Sequence, residues 1–179
     1  LMLSAPVYLA ALHPLQHFPQ GHALPGHICR KRPAIVAFPQ ITALFLLRAM
    51  HQHGLKTSPA TTGCSYYLSE CMEKHLPRFL ENGTTAIICS QDTLANAALI
   101  QCQQLGYQVP DDVSIIGFDD LPIAAYTSPP LTTIRQDRIE LGKSGFFALS
   151  SLLNGVSIST FLLHTQLIER KSTGNVPVA

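Results

Sequence analysis

The sequence predicts an α/β protein: a parallel sheet with helices on both faces. Two observations carry this. Short runs rich in β-branched residues, with no helical period, recur at 34–38, 85–89 and 113–116, as buried parallel strands do. Stretches with apolar residues at helical spacing, closed by glycine, lie between them across short connections, which is the βαβαβ alternation of a sheet covered by helices.

Taken in order, residues 13–33 are rich in His, Pro and Gly, and Pro14, Pro19, Pro25 and Pro33 oppose a continuous helix there. Residues 34–38 read as a strand and 41–53 as a helix stopped at Gly54. Residues 66–81 read as an amphipathic helix, with Leu68, Cys71, Met72, His75, Leu76 and Phe79 on one face and Gly83 beyond its end. Pro77 is expected to kink that helix or end it early. A strand at 85–89, a helix at 93–105 closed by Gly106, and a strand at 113–116 follow. Residues 138–153 then read as a helix stopped by Gly155, and 160–167 alternate like a strand.

A chain of 179 residues can bury a sizeable core as one or two domains. A net charge of +1 supplies no whole-molecule field to attract nucleic acid. No acidic residue precedes Glu70, while Arg30, Lys31 and Arg32 cluster; the plainest reading of that cluster is a solvated loop. The five cysteines form an odd set without paired spacing, which favours a reduced, cytoplasmic setting over a disulfide framework. Cys89 and Cys102 fall in apolar patterns and read as core. No apolar run is long enough to span a membrane. The apolar start, residues 1–12, lacks a basic leading region and reads as a strand rather than a signal peptide. Of eight histidines, His51 and His53 are the tightest pair, and helical residues two apart do not converge on a metal. No phosphate-cradling glycine loop, nucleophile elbow or metal-ligand spacing occurs, so neither an enzyme nor a cofactor is expected.

The strand at 113–116 ends abruptly at Gly117-Phe118-Asp119-Asp120. Two carboxylates at the carboxyl end of a buried strand are costly unless that end opens into a crevice, and open α/β sheets bind ligands there. Asp119 is the leading candidate, a directional, charge-assisted acceptor for the hydroxyls of a sugar or polyol; Asp120 beside it must point elsewhere and reads as a structural cap. Gln91 and Asp92 end the preceding strand and can face the same crevice. Gln91 both donates and accepts, and Asp92 could alternatively cap the helix that follows.

The same stretch carries a family resemblance. Val109-Pro110-Asp111-Asp112-Val113-Ser114, Gly117-Phe118-Asp119-Asp120, Tyr126 and Pro129-Pro130-Leu131-Thr132-Thr133-Ile134-Arg135-Gln136 resemble the effector-binding core of the LacI/GalR family of transcription regulators. Ser90-Gln91-Asp92 with Ala95, Ala97 and Ala98 upstream, and Leu141-Gly142 with Leu167 to Gly174 downstream, match in the same order. The resemblance implies the second subdomain of a type I periplasmic-binding-protein-like fold over residues 1–134, a crossover helix of the first subdomain at 135–159 and a returning strand at 160–179. The rest of the first subdomain and the helix-turn-helix are not in this sequence. The ligand set it implies, together with the strand-end reading, is Asp119, Gln91, Asp92, Phe118 and Tyr66, Tyr66 standing near an expected stacking position alongside Cys64 and Tyr67. One departure matters. Thr42 falls where the family carries an effector-holding Arg, with Arg48 more than a turn further on, so the forked cationic donor is lost.

The expected function is sensing of a small polar effector, a sugar or similar, by a regulator whose DNA contact lies in an amino-terminal domain outside this sequence, with a homodimer as the working state. A transport-type sugar-binding protein of the same fold is one alternative, and a ligand-free dimerisation fragment another.

Overall fold

The computed structural model describes residues 70–158 and 163–174 in full, and 33–37 and 62–64 as backbone strands. Among the described residues six strands form one sheet: β1 (Pro33–Ala37), β2 (Thr62–Cys64), β3 (Ala86–Cys89), β4 (Ser114–Phe118), β5 (Thr132–Gln136) and β6 (Thr165–Ile168). Their order across the sheet is β2-β1-β3-β4-β5-β6. The first five pair in parallel; β6 pairs antiparallel with β5. The expectation of a parallel sheet therefore holds up to β5 and changes at the edge. The expected strand at 160–167 starts later within the described residues, at Thr165.

The strand order reverses at β1, which lies between β2 and β3. That reversal is the switch point of a doubly wound sheet, where the carboxyl ends of neighbouring strands open a crevice. β2 has only three residues, Thr-Gly-Cys, too few for any period to reveal it in the sequence.

Among the described residues the larger core cluster lies on one face of the sheet. Ile87, Cys89 and Ile115 point into it and meet Leu76, Phe79, Leu80, Leu94, Ala95, Ala98, Leu99, Cys102 and Leu131, all buried. Alternation places Ala86 and Ile116 on the opposite face as a separate small cluster. α1 (Leu76–Glu81) and α2 (Asp92–Gln104) both pack on the first face. The expected helix at 41–53, the strand at 1–12 and the His-rich stretch 13–33 lie outside the described residues.

Pro77 does not end its helix early; the α-helical pattern changes just before it. A π-helical segment, Cys71–His75, runs straight into α1, and Pro77 sits in the first turn of α1. The Leu76 N–H reaches back to the Cys71 carbonyl, one residue further than an α-helix would. A wider turn just before the proline makes room for its ring and uses no N–H that proline lacks.

α3 (Arg138–Leu153) occupies the range expected from its periodicity. It buries no residue. Asp137 caps it, accepting hydrogen bonds from the Ile139 and Glu140 N–H groups at 3.0 and 2.9 Å. Among the described residues no helix is long and apolar enough to cross a membrane.

Candidate functional site

The Gly117-Phe118-Asp119-Asp120 segment leaves β4 in an unusual backbone conformation. Asp119 has φ 101° and Asp120 φ 48°, both in the left-handed region that non-glycine residues rarely adopt. Strained pairs of this kind persist only where their surroundings hold them, and they collect at functional sites. The holding contacts are visible. The Asp119 N–H continues the ladder to the Ile134 carbonyl at 2.8 Å. Gln136 Nε2 donates to Asp119 Oδ1 at 2.8 Å. Asp120 takes two guanidinium groups, Arg135 Nε on Oδ2 at 2.6 Å and Arg170 on Oδ1 at 2.7 Å. Burial alone would raise the Asp120 carboxyl, but the hydrogen bonds from Arg170 and Arg135 outweigh it and hold it below the usual carboxylate range. Asp120 is structural, as expected, but as the hub of an ion-pair cluster rather than as a turn cap.

Asp92 lies behind this segment. It is the first residue of α2, with Gln91 in the capping position, and its side chain makes no cap. Its carboxylate turns inward instead, accepting from the Thr133 hydroxyl at 2.5 Å and from the Leu121 N–H at 2.6 Å. The reading of Asp92 as a helix cap is thus corrected, because two donors from other segments, one of them buried, engage both carboxylate oxygens in place of the helix's own first turn. Asp92 is fully buried. Burial pushes its carboxyl pKa upward, opposed by the Thr133 and Leu121 hydrogen bonds. Thr133 Oγ1 also accepts from the Asp120 N–H at 3.4 Å, so a relay runs from Asp92 through Thr133 to the strained segment. Gly117 is required here. A Cβ at this position would overlap Asp92 Oδ1 and approach Leu131 Cδ2 to 2.9 Å.

Gln91 follows the end of β3, and Asp119 the end of β4, its parallel neighbour. They therefore stand at the same edge of the sheet. Gln91 Oε1 accepts from the Thr93 hydroxyl at 3.1 Å. Among the described residues nothing donates to Asp119 Oδ2, and Gln91 Nε2 donates to nothing. Phe118, the last residue of β4, pairs with Ile134 and is partly buried. Tyr66, Tyr67, Thr42 and Arg48 lie outside the described residues, as does the side chain of Cys64.

The segment after β6 ties the site's strands together. Arg170 also donates to the Leu131 carbonyl at 2.7 Å, and its N–H donates to Thr132 Oγ1 at 2.9 Å. Ser172, fully buried, accepts from the Thr132 N–H at 2.8 Å and donates to the Ile115 carbonyl at 2.6 Å. Arg135, Gln136, Thr133 and Arg170 have no role in the sequence reading. All four stand in the motif segments, but which strand end each would reach depends on the order of strands in the sheet.

Residues 20–173 match the family of the periplasmic binding protein-like domain. The chain belongs to this family. It is 33% identical over 175 residues to an HTH-type transcriptional repressor PurR of Aliivibrio salmonicida strain LFI1238, covering 92% of this chain and 49% of that protein. Among solved structures, a regulatory protein of the LacI family from Chloroflexus aggregans is 30% identical with a TM-score of 0.69, covering 84% of this chain and 57% of that one. A sugar-binding transcriptional regulator of the LacI family from Escherichia coli, complexed with phosphate, is 27% identical with a TM-score of 0.65, covering 79% and 54%. The chain thus spans about half the length of the curated relative it matches. These relatives of the periplasmic binding protein-like domain are transcription regulators, in line with the resemblance carried by the strand-end motifs.

Proposed function

We propose that this chain is the effector-sensing portion of a LacI/GalR-type transcription regulator, reaching DNA only through an amino-terminal domain outside these residues. The observation that carries this reading is the pair at the carboxyl ends of β3 and β4. Asp119 is held by Gln136 through one oxygen, its other oxygen takes no described donor, and the Gln91 amide stands at the neighbouring strand end. An acceptor and a donor side by side at a sheet's carboxyl edge suit the hydroxyls of a sugar or a related small polar effector. Asp119 and Gln91 are the direct contacts, with Phe118 and Tyr66 as apolar and stacking walls. Asp92, buried with both oxygens engaged, supports the segment from behind. The effector would act by population shift, biasing the relative orientation of the DNA-binding heads carried by the amino-terminal domain.

The setting is a cytoplasmic homodimer without cofactor or catalytic activity. Cys71, Cys89 and Cys102 are buried and form no disulfide among the described residues; burial pushes the Cys89 thiol well up and Cys102 to about 12, so these two are inert core thiols. The apolar exposure of α3 supports self-association: Phe146 is 76% and Leu153 79% exposed.

Thermal-shift screening against mono- and disaccharides and nucleosides, followed by calorimetric titration, tests the effector site. A bound effector at one hundred times its Kd should stabilise the fold by about 2.7 kcal/mol, and Asp119→Ala should abolish that gain. Stabilisation that survives Asp119→Ala and Gln91→Ala together would move the site elsewhere.

A further inference from the structure

The Asp120 cluster is larger than a turn needs. Its carboxylate, with a side chain 9% exposed, gathers Arg135 from β5 and Arg170 from the segment just past β6. These two strands pair antiparallel, Arg135 opposite Gln166 and Gln136 opposite Thr165, and α3 is inserted between them. Gln136, the last residue of β5, holds Asp119, while Asp137, the next residue, caps α3. Asp119 and the arm bearing α3 are therefore separated by one side-chain hydrogen bond and one residue of chain. Two adjacent left-handed residues do not hold this geometry by their own preference.

We propose that Asp120 is a positioning residue: through Arg135 and Arg170 it locks β5 and β6 onto the end of β4 and so keeps Gln136 against Asp119. This rests on the reading of Asp119 as an effector contact, but its test needs no effector. Three contributions can be separated. Arg170 is the stronger anchor, because its side chain is 19% exposed and it also binds the Leu131 carbonyl. Arg135, 51% exposed, contributes a pair that salt weakens. Thr133 supplies the backbone support, accepting from the Asp120 N–H. Loss of the Asp120 charge should release both strands together, since each arginine would lose the same acceptor.

The experiment is nuclear magnetic resonance and amide hydrogen exchange on the isotopically labelled chain, comparing wild type with Asp120→Asn, Arg170→Lys and Arg135→Gln. Asp120→Asn should move the Gln136 side-chain amide signals toward those of a free glutamine. It should also speed exchange of the Asp119, Gln166 and Ile168 N–H groups by about tenfold or more, while the amides of α2 keep their protection. Arg170→Lys keeps the charge and loses the fork, so an intermediate change is expected; Arg135→Gln should give the smallest. If Asp120→Asn fails to fold, the graded order of Arg170→Lys over Arg135→Gln at the Gln136 amide carries the test. An unchanged Gln136 amide in the folded variants would overturn the proposal. So would exchange that rises equally throughout the protein, since that marks Asp120 as contributing only to global stability. Failure of every sugar and nucleoside to bind would count against the effector reading and leave these outcomes as they stand.

Discussion

α2 and α3 are both long helices with apolar sequences, and they meet opposite fates. α2 buries Leu94, Ala95, Ala98, Leu99 and Cys102. α3, three residues longer in a 16-residue helix against 13, buries none, although it carries two phenylalanines and four leucines. The difference lies in the strands each helix joins. α2 connects β3 to β4, parallel neighbours, so the chain must return the length of the sheet, and the returning helix lies against it. α3 connects β5 to β6, which are antiparallel. A short loop would do for that connection, so nothing obliges α3 to fold back on the sheet. The helices also begin differently. α2 starts without a side-chain cap, whereas α3 has Asp137 on two N–H groups. One is held by packing and the other by local chemistry.

The largest test of this contrast is a pair of truncations. Leu99→Ala, in α2 at 1% exposure, should cost about 2–5 kcal/mol in urea unfolding. Leu153→Ala, in α3 at 79% exposure, should stay within about 0.5 kcal/mol in dilute protein. Equal costs would mean that α3 is packed in solution. Next in size is self-association. Phe146→Glu should weaken it about tenfold, or 1.4 kcal/mol, in sedimentation across concentrations; a chain that stays monomeric at high concentration would show that α3 does not bring copies together.

A smaller effect concerns the caps. Asp137→Ala should cost about 1 kcal/mol of local helix stability, seen as faster amide exchange confined to α3. Gln91→Ala should leave α2 unaffected, since Gln91 gives that helix no cap.

The smallest concerns pH, and it sets the strand-end cluster apart from both helices. The Asp120 pKa is lowered in the folded protein, so its stabilisation is present above the unfolded carboxylate value of about 3.9 and fades as pH falls through the folded value. Asp92 is raised, so its contribution has the opposite sign, present below the unfolded value and lost as pH rises through the folded one. Asp120→Asn should therefore lose less stability than wild type on acidification below about pH 4, as read by urea midpoints. An identical acid limb would show that the two arginines do not hold the Asp120 charge in solution.

Much of the framework was legible along the chain. The β-branched runs of β3 and β4, the period of α2 and the full extent of α3 each follow from side chains within one segment. So does the placement of Asp119 at a strand's carboxyl end, although β4 runs two residues past the expected end at 116, through Gly117 and Phe118, before the carboxylates stop it. Local sequence could not show what Pro77 does, since a π-turn before it depends on how the helix packs. Nor could it show the antiparallel edge, because β6 has the same alternation whichever way it runs. The partners of the acidic residues lay furthest from view. Asp92 and Thr133 are 41 positions apart, and Asp120 and Arg170 are 50. Side-chain type and spacing determined which segments are strands and helices and where a carboxylate ends a strand. Only strand order brought β4, β5 and the chain beyond β6 side by side, and a charge finds its partner through that adjacency in space rather than through distance along the chain.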